Sequence, residues 1–177
     1  MNRMIRQELP KDYKTTEEVV KQAFLNEQYS DGKEHQLVNR IRKSKAFIPE
    51  LSLVAIGEDK AMIGHILLSK ISIVYNDQSV ESLALAPVSV APQYQKKGIG
   101  SQLIHEGLKK AKALGYHSVI VLGHKDYYPK FGFKQALLWN IKAPFEVPDE
   151  AFMALELTED SLETVQGVVH YPKAFSE

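Results

Sequence analysis

The stretch over residues 82–122 most constrains what this 177-residue chain can fold into. Residues 82–90 form a mostly apolar run of strand length, and 98–114 carry apolar side chains at helical spacing. Residues 118–122 are a second short apolar run, typical of a strand that is buried on both faces. A strand, a helix and a strand of these lengths predict a right-handed crossover, so the two strands should lie parallel in one sheet.

Other strand and helix signals surround this crossover. An amphipathic helix is predicted from Thr15 to a break at Asp31-Gly32, a second over 35–43, and a helical turn over 127–131. Strands are predicted over 4–9, 51–56, 62–75, 133–139 and 151–157, with a small edge strand over 168–171. Short turns between the strands of 51–90 predict an antiparallel meander. We expect one domain over residues 1–177, with its core in 3–157 and a C-terminal extension in 158–177.

Composition excludes several classes of function. The 22 lysines and arginines are balanced by 22 aspartates and glutamates, so the chain has no excess of the positive charge that nucleic-acid binding requires. It has no cysteine, which removes disulfides, zinc–thiolate sites and a cysteine nucleophile. The sequence has neither the pattern of a signal peptide nor the ~18 apolar residues of a membrane helix. We expect a cytoplasmic monomer or homodimer that binds no metal, no nucleic acid and no membrane.

The segment PQYQKKGIGS, at 92–101 between the apolar strand and the long helix, carries the strongest chemical signal. The first amides of a helix have no internal partners and lie at the positive end of the helix dipole. Gly98 and Gly100 let a ligand approach that backbone closely. Lys96 and Lys97 are unfavourable there unless an anion lies between them. The segment therefore predicts a phosphate or pyrophosphate site, although a solvated turn with two surface lysines would have the same sequence.

Two common phosphate-binding motifs do not fit this segment. A P-loop ends in Gly-Lys-Ser or Gly-Lys-Thr, whereas Lys97 precedes Gly98 here. The Rossmann fingerprint needs a third glycine, where this chain has Leu103, and an acidic residue at the end of the next strand, where 118–122 has none. A nucleotide-binding protein of the Rossmann type is therefore disfavoured.

The sequence QKKGIG at 95–100 resembles the Gln/Arg-x-x-Gly-x-Gly/Ala signature of the GNAT superfamily of N-acetyltransferases. YPKFGF at 128–133 resembles a second GNAT signature, Tyr-x-x-x-Gly-Phe, and the order of elements is also similar. Residues 122–133 and 147–153 resemble bacterial members of uncharacterised substrate. The resemblance implies an α/β (α+β) fold, in which about four helices flank a mixed, mostly antiparallel sheet with one splayed parallel pair of strands.

The same resemblance implies that acetyl-CoA is the co-substrate and that the glycine loop holds the pyrophosphate of CoA. The implied cofactor-binding residues are Val88, Ser89, Val90, Gln95, Lys96, Lys97, Gly98, Ile99, Gly100 and Ser101. Pro87 lies within an apolar strand, where proline marks either a sheet edge or a bulge. In the GNAT interpretation it is a bulge that splays the strand and turns backbone groups of Val88 and Val90 toward the cofactor.

Tyr128 and His124 are the candidate catalytic residues. Tyr128 either packs in the core or, as the resemblance implies, protonates the departing thiolate. His124 directly follows a strand and can accept a proton near neutral pH, although a histidine there is also a common turn residue. Some GNAT enzymes carry a glutamate 11 residues before the glycine motif, where this chain has Ala84. The nearest acid, Glu81, is ~10 Å farther along the strand, so we expect proton loss through water, relayed by His124.

The predicted function is transfer of the acetyl group of acetyl-CoA to a primary amine of a small molecule or a protein. Because the chain has no cysteine, an acyl-cysteine intermediate cannot form, and direct attack in a ternary complex is favoured. The alternative is a CoA- or acyl-CoA-binding sensor without turnover. Such a module would need the loop at 95–101 but no proton donor at Tyr128.

Overall fold

The computed structural model describes residues 3–27 and 30–176, which contain nine strands and three α-helices. The strands are β1 (Met4–Gln7), β2 (Ser52–Ile56), β3 (Met62–Tyr75), β4 (Gln78–Val90), β5 (Ser118–Leu122), β6 (Lys134–Gln135), β7 (Ile141–Lys142), β8 (Phe152–Glu156) and β9 (Gly167–His170). The α-helices are α1 (Tyr13–Phe24), α2 (Glu34–Arg42) and α3 (Ile99–Ala113), and a short 3-10 helix covers Tyr128–Phe131. Within the described ranges, no helix has both the length and the apolar character needed to cross a membrane.

The strands form one mixed sheet in the order β1-β2-β3-β4-β5-β8-β6. Neighbours along this path are antiparallel except β4 and β5, which run parallel with Leu83 opposite Val119 and Ala84 opposite Ile120. Strand β9 pairs with the end of β3 and, in parallel, with β7. The predicted crossover and the mixed, mostly antiparallel sheet are therefore confirmed.

Helix α3 covers one face of the sheet because its apolar residues recur every three or four positions. Its buried residues are Ile99, Leu103, Ile104, Gly107, Leu108 and Ala111. Gly107 permits close contact with the sheet, since a Cβ there would lie 2.9 Å from Cδ1 of Leu68 on β3. Beyond the helix, Gly115 has a φ of +95°, which is the left-handed helix end that the sequence predicts.

The opposite face of the sheet is covered by two groups of elements. Helices α1 and α2 place Val20, Val38 and Ile41 around Leu67 of β3. The remainder of this face is covered by the segment that follows β5 and by the C-terminal residues, with Val169 of β9 in the same buried cluster. The C-terminal extension is therefore part of the sheet and its core.

A bulge at Pro87 changes the direction in which the side chains of β4 point. Ile66 of β3 opposes Val88 and Leu68 opposes Leu85, so β4 contains one extra residue between these pairs. As a result, Leu85 and Val88 both pack on the α3 side of the sheet. Among the described residues, β4 pairs with β5 before the bulge and not after it. The two strands therefore separate and leave a cleft between their ends.

Several predicted elements differ in extent: β1 ends at Gln7, β4 begins at Gln78, and α1 ends at Phe24, before the break predicted at Asp31-Gly32. The strand predicted over 133–139 is limited to β6, because a 3-10 helix over Ala136–Trp139 follows. The buried residues there are Phe133 and Ala136, and a spacing of three suits a helical turn better than an alternating strand. Helix α1 begins two residues before Thr15, because the 3-10 turn Pro10–Asp12 leads directly into it.

Candidate active site

The loop before α3 leaves free backbone amides at the end of the cleft. Gly98 is the N-cap residue with a φ of +82°, and no side chain caps the helix. The N–H of Gln102 donates to the carbonyl of Gly98 at 3.0 Å. The amides of Ile99, Gly100 and Ser101 precede this bond, so they have no acceptor within the helix. Such a helix start attracts an anion.

Positive charge surrounds these amides. Lys96 and Lys97 are exposed, and the first turn of α3 contains no acidic residue. Arg3 is a third cation: its Nη2 atom is 3.7 Å from the position of a Cβ at Gly98, and its Nε donates to Oε1 of Gln102. Sequence analysis missed Arg3, which lies 99 residues before Gln102. The three cations and the free amides fit a pyrophosphate group.

The remaining loop residues have distinct contacts. Gln95 donates from Nε2 to the carbonyl of Val90 at 3.0 Å, which ties the loop to the end of β4. The side chain of Ile99 is buried in the core, so its backbone amide is the part that faces the loop. The hydroxyl groups of Ser101 and Tyr127 are 3.3 Å apart. The loop is therefore held from both sides of the cleft.

The end of β4 offers backbone groups rather than side chains to the cleft. The N–H of Ala91 donates to the carbonyl of Ile63 on β3 at 2.9 Å. Because successive backbone groups of a strand point to alternate sides, those of Val90 and Val88 are directed to the open side. The side chains of these two valines pack on the α3 face, while Ser89 is buried, with no hydrogen-bond partner for its Oγ among the described residues.

Tyr128 packs closely against the turn that follows β5. A Cβ at Gly123 would lie 2.3 Å from Cε2 of Tyr128, so glycine is the residue that fits there. The ring also meets Phe133 edge-on, with centroids 5.8 Å apart. Burial, and to a smaller extent Tyr127, raises the pKa of Tyr128 to about 12. The phenol therefore keeps its proton near neutral pH and can donate it.

His124 is exposed, and its backbone organises the turn. The carbonyl of His124 accepts hydrogen bonds from the N–H groups of Tyr127 at 3.1 Å and Tyr128 at 3.3 Å. The two tyrosine rings then meet edge-on, with centroids 5.1 Å apart. One turn thus directs Tyr127 toward the start of α3 and Tyr128 against Gly123.

A family model, described as the acetyltransferase (GNAT) family, matches residues 12–133, which is more than half of the chain. The chain belongs to the GNAT family. Membership makes it an acyltransferase that uses acetyl-CoA, so the predicted family, enzyme class and co-substrate are confirmed.

Relatives resemble this GNAT chain over most of its length. The uncharacterized N-acetyltransferase YhbS of Escherichia coli is 29% identical over 154 residues, covering 87% of this chain and 90% of YhbS. The crystal structure of YhbS in complex with CoA matches with a TM-score of 0.89 and 25% identity, over 100% of this chain and 93% of that chain. A GNAT family acetyltransferase from Brucella melitensis, in complex with acetyl-CoA, has a TM-score of 0.80 and 34% identity over 98% of both chains.

Glu81, the acid nearest in sequence to Ala84, lies near the far end of α3. Burial, with smaller contributions from Glu81 and Glu50, raises the pKa of Tyr116 just beyond the C-terminal end of α3. Because α3 has 15 residues, that end is ~22 Å from the glycine loop. Among the described residues, no group of three or more His, Cys, Asp or Glu side chains could hold a metal ion. Glu81 is thus remote from the anion-binding loop.

A cavity of about 620 Å³ lies on the face of the sheet opposite α3. We call it the tail pocket; its walls include Ala84, Ala86, Leu122, Phe145, Tyr171 and Phe175. His170 of β9 also lines it. No local sequence pattern predicts this pocket, because it forms when β9 pairs with β3 and brings the C-terminal residues over the sheet.

Proposed function

We propose that this GNAT chain transfers the acetyl group of acetyl-CoA to a primary amine, by direct attack in a ternary complex in the cytoplasm. The observation that carries the proposal is the hydroxyl contact of 3.3 Å between Tyr127 and Ser101. It joins the free amides of α3 to the turn that holds Tyr128. An anion-binding loop and a protonated phenol thus lie at one cleft, as acyl transfer from a thioester requires.

The loop would bind the pyrophosphate of CoA through the amides of Ile99, Gly100 and Ser101, with Lys96, Lys97 and Arg3 neutralising its charge. The backbone at Gly100 lies close to both walls, since a Cβ there would be 3.4 Å from the hydroxyl oxygen of Tyr127 and 3.7 Å from Cγ2 of Val90. The backbone of Val88, Ser89 and Val90 would then line the path of the pantetheine arm.

The proposed reaction needs one proton donor and one proton acceptor. The neutral amine attacks the carbonyl carbon of the thioester, so that a C–N bond forms and the C–S bond breaks. Tyr128 gives its proton to the sulfur, and the proton lost by the amine nitrogen passes through water, relayed by His124, and restores the phenol. Orientation of the two substrates in the cleft supplies a large part of the rate enhancement.

An apolar site for the acceptor would make a strong base unnecessary. Ala84 lies where some GNAT enzymes have a glutamate, and it lines the tail pocket. Removal of an ammonium group from water favours its neutral form, which lowers the pKa of the bound amine. The neutral amine is the nucleophile, so desolvation and water would together replace a carboxylate base.

The test is a screen of primary amines with acetyl-CoA in which free thiol release is measured. Small amines, amino acids and peptides with a free N-terminus or a lysine cover the acceptor classes. We expect release with at least one amine and roughly 100-fold slower turnover in Tyr128→Phe. Tight binding of CoA without thiol release from any acceptor would instead support the sensor without turnover.

A further inference from the structure

The tail pocket reaches the point at which β4 and β5 separate. Ala84 and Ala86 of β4 and Leu122 of β5 form its inner end. Strands β4 and β5 are paired at Leu83 and Ala84 and separate beyond these residues, at the bulge, so this inner end lies where the cleft begins. An amine held at this inner end would therefore face the thioester from the side of the sheet opposite α3.

Three aromatic rings form another wall of the tail pocket, away from the point at which β4 and β5 separate. Phe145 and Tyr171 are stacked, with centroids 6.0 Å apart and an angle of 14° between the rings. Tyr171 also contacts Phe175, with centroids 5.0 Å apart. Phe145 is 47% exposed, so a large apolar surface remains for a ligand to cover. Burying such surface is favourable and needs no charged partner.

Charge around the pocket gives no advantage to a polycation. Among the described residues that line it, none is acidic, and His170 is its one ionisable residue besides Tyr171. An adjoining depression of about 490 Å³ shares Leu37, Phe175 and Ser176 with the pocket and carries two acids and two bases. These are Asp31, Glu34, Lys33 and Arg40. A second ammonium group in the acceptor would lose its hydration without gaining a buried counter-charge.

We propose that the acceptor is a monoamine carried on an aromatic body, and that the ring binds in the tail pocket beside Phe145 and Tyr171. This inference rests on the proposed acetyl transfer and names the class of its acceptor. A volume of about 620 Å³ is within the range of small-molecule sites and accommodates one ring with a short alkylamine. The C-terminal residues thereby become determinants of acceptor specificity.

The first experiment measures binding without turnover. In the presence of CoA, calorimetry compares N-acetyl-2-phenylethylamine with N-acetylputrescine, two products that differ in the ring and in the second charge. We expect the aromatic product to bind at least about tenfold more tightly, since a ring provides the larger apolar surface. Equal or reversed affinities would overturn the assignment of the pocket.

Variants locate the binding site of the ring. Phe145→Ala and Tyr171→Leu should each weaken the binding of the aromatic product roughly 3- to 10-fold, which is the effect of losing one ring contact. Leu138→Ala is the matched control, because Leu138 is 69% exposed and lies outside the pocket. Phe145 is itself half exposed, so its replacement should leave the fold intact. Unchanged affinity in both pocket variants would place the ring elsewhere and contradict the inference.

Thiol release distinguishes failure of this inference from failure of the proposed function. With acetyl-CoA, 2-phenylethylamine should be acetylated with a higher kcat/KM than butylamine or spermidine. Release that favours spermidine would contradict the inference and leave acetyl transfer intact. Binding of the aromatic product without release from any amine would contradict the transferase proposal instead.

Discussion

The hydroxyl oxygen of Tyr127 lies 3.3 Å from Oγ of Ser101, in the first turn of α3. The next residue, Tyr128, packs against Gly123 in the turn after β5. Lys130 adds positive charge near the helix start, with its Nζ 4.2 Å from the centroid of the Tyr127 ring. Two adjacent tyrosines therefore have different surroundings, and their effects on catalysis should be separable.

Removal of each tyrosine hydroxyl tests this separation. We expect Tyr127→Phe to raise KM for acetyl-CoA several-fold with little change in kcat, because one hydrogen-bonding group beside the loop is lost. Tyr128→Phe should lower kcat roughly 100-fold while the Kd of CoA stays the same, since a proton donor is lost. Steady-state kinetics and calorimetry measure the two effects. The same changes in KM and kcat in both variants would contradict the assignment of separate roles to the two tyrosines.

Paired glycine substitutions test the anion site. Gly98 and Gly115 both have a positive φ, +82° and +95°, so alanine at either position should cost roughly 1–2 kcal/mol of stability. Gly98→Ala should in addition weaken CoA binding, and Gly100→Glu should nearly abolish it through steric and charge conflict. Gly115→Ala, at the other end of α3, serves as the control for strain. Calorimetry and denaturant titration report affinity and stability, and equal CoA binding in all variants would refute the loop assignment.

Gly123→Ala should impair catalysis by displacing the Tyr128 ring. The new Cβ would lie 2.3 Å from Cε2 of Tyr128, which forces the ring to move, and a misplaced donor typically costs ~100-fold in rate. Gly57→Ala is a milder control, with its nearest contact, Ile63 Cγ2, at 3.3 Å. The double variant Gly123→Ala/Tyr128→Phe should be no slower than Tyr128→Phe alone, because both act on one group. Additive losses of kcat would show that Gly123 acts independently.

The proposed absence of a carboxylate base is tested by pH–rate profiles. Glu81→Gln should leave the profile unchanged, because Glu81 acts on Tyr116 near the far end of α3. His124→Ala should remove or displace the acidic limb if the imidazole relays the proton, with folding followed by circular dichroism. A collapse of kcat in Glu81→Gln alone, with the fold intact, would overturn this assignment.

His65 makes the stability of the protein depend on pH. Its side chain is fully buried, with Nε2 2.9 Å from Oγ of Ser52. Burial lowers the pKa of His65 to about 4; Arg42 also lowers this pKa, and Glu8 raises it. In the unfolded chain this histidine has its ordinary pKa of 6.5. Between about pH 4 and pH 6.5 the unfolded chain therefore binds more protons than the folded protein does. The free energy of unfolding should therefore be fully retained above pH 6.5 and fall by ~1.4 kcal/mol per pH unit below it, to about pH 4.

The control for this pH dependence is His65→Gln, which keeps a polar side chain beside Ser52 but cannot titrate. Denaturant titrations from pH 7.5 to pH 4.5 should show a shallower loss of stability in the variant than in the parent. Groups that do not interact electrostatically with His65 contribute equally to both proteins. Parallel curves would therefore show that His65 does not cause the effect.

The crossover and the anion loop could be predicted because their signals are local. Apolar residues at helical spacing predict a helix such as α3, because its turns repeat every few residues. The glycines at 98 and 100 determine the backbone conformation of their own loop. The motif that carries Tyr128 is likewise contained in six consecutive residues, 128–133. Pro87 indicated either an edge or a bulge, and only the pairing of β4 with β3 decided for the bulge.

The tertiary structure alone decided which distant residues join the site. Arg3 reaches the start of α3 through contacts across 99 residues of sequence, and Tyr127 reaches Ser101 across 26. The tail pocket exists because β9 pairs with β3, which brings Tyr171 and Phe175 over the split in the sheet. Sequence periodicity shows which face of an element is buried, but contacts between elements depend on strand order and register. Those are determined by the packing of the whole chain.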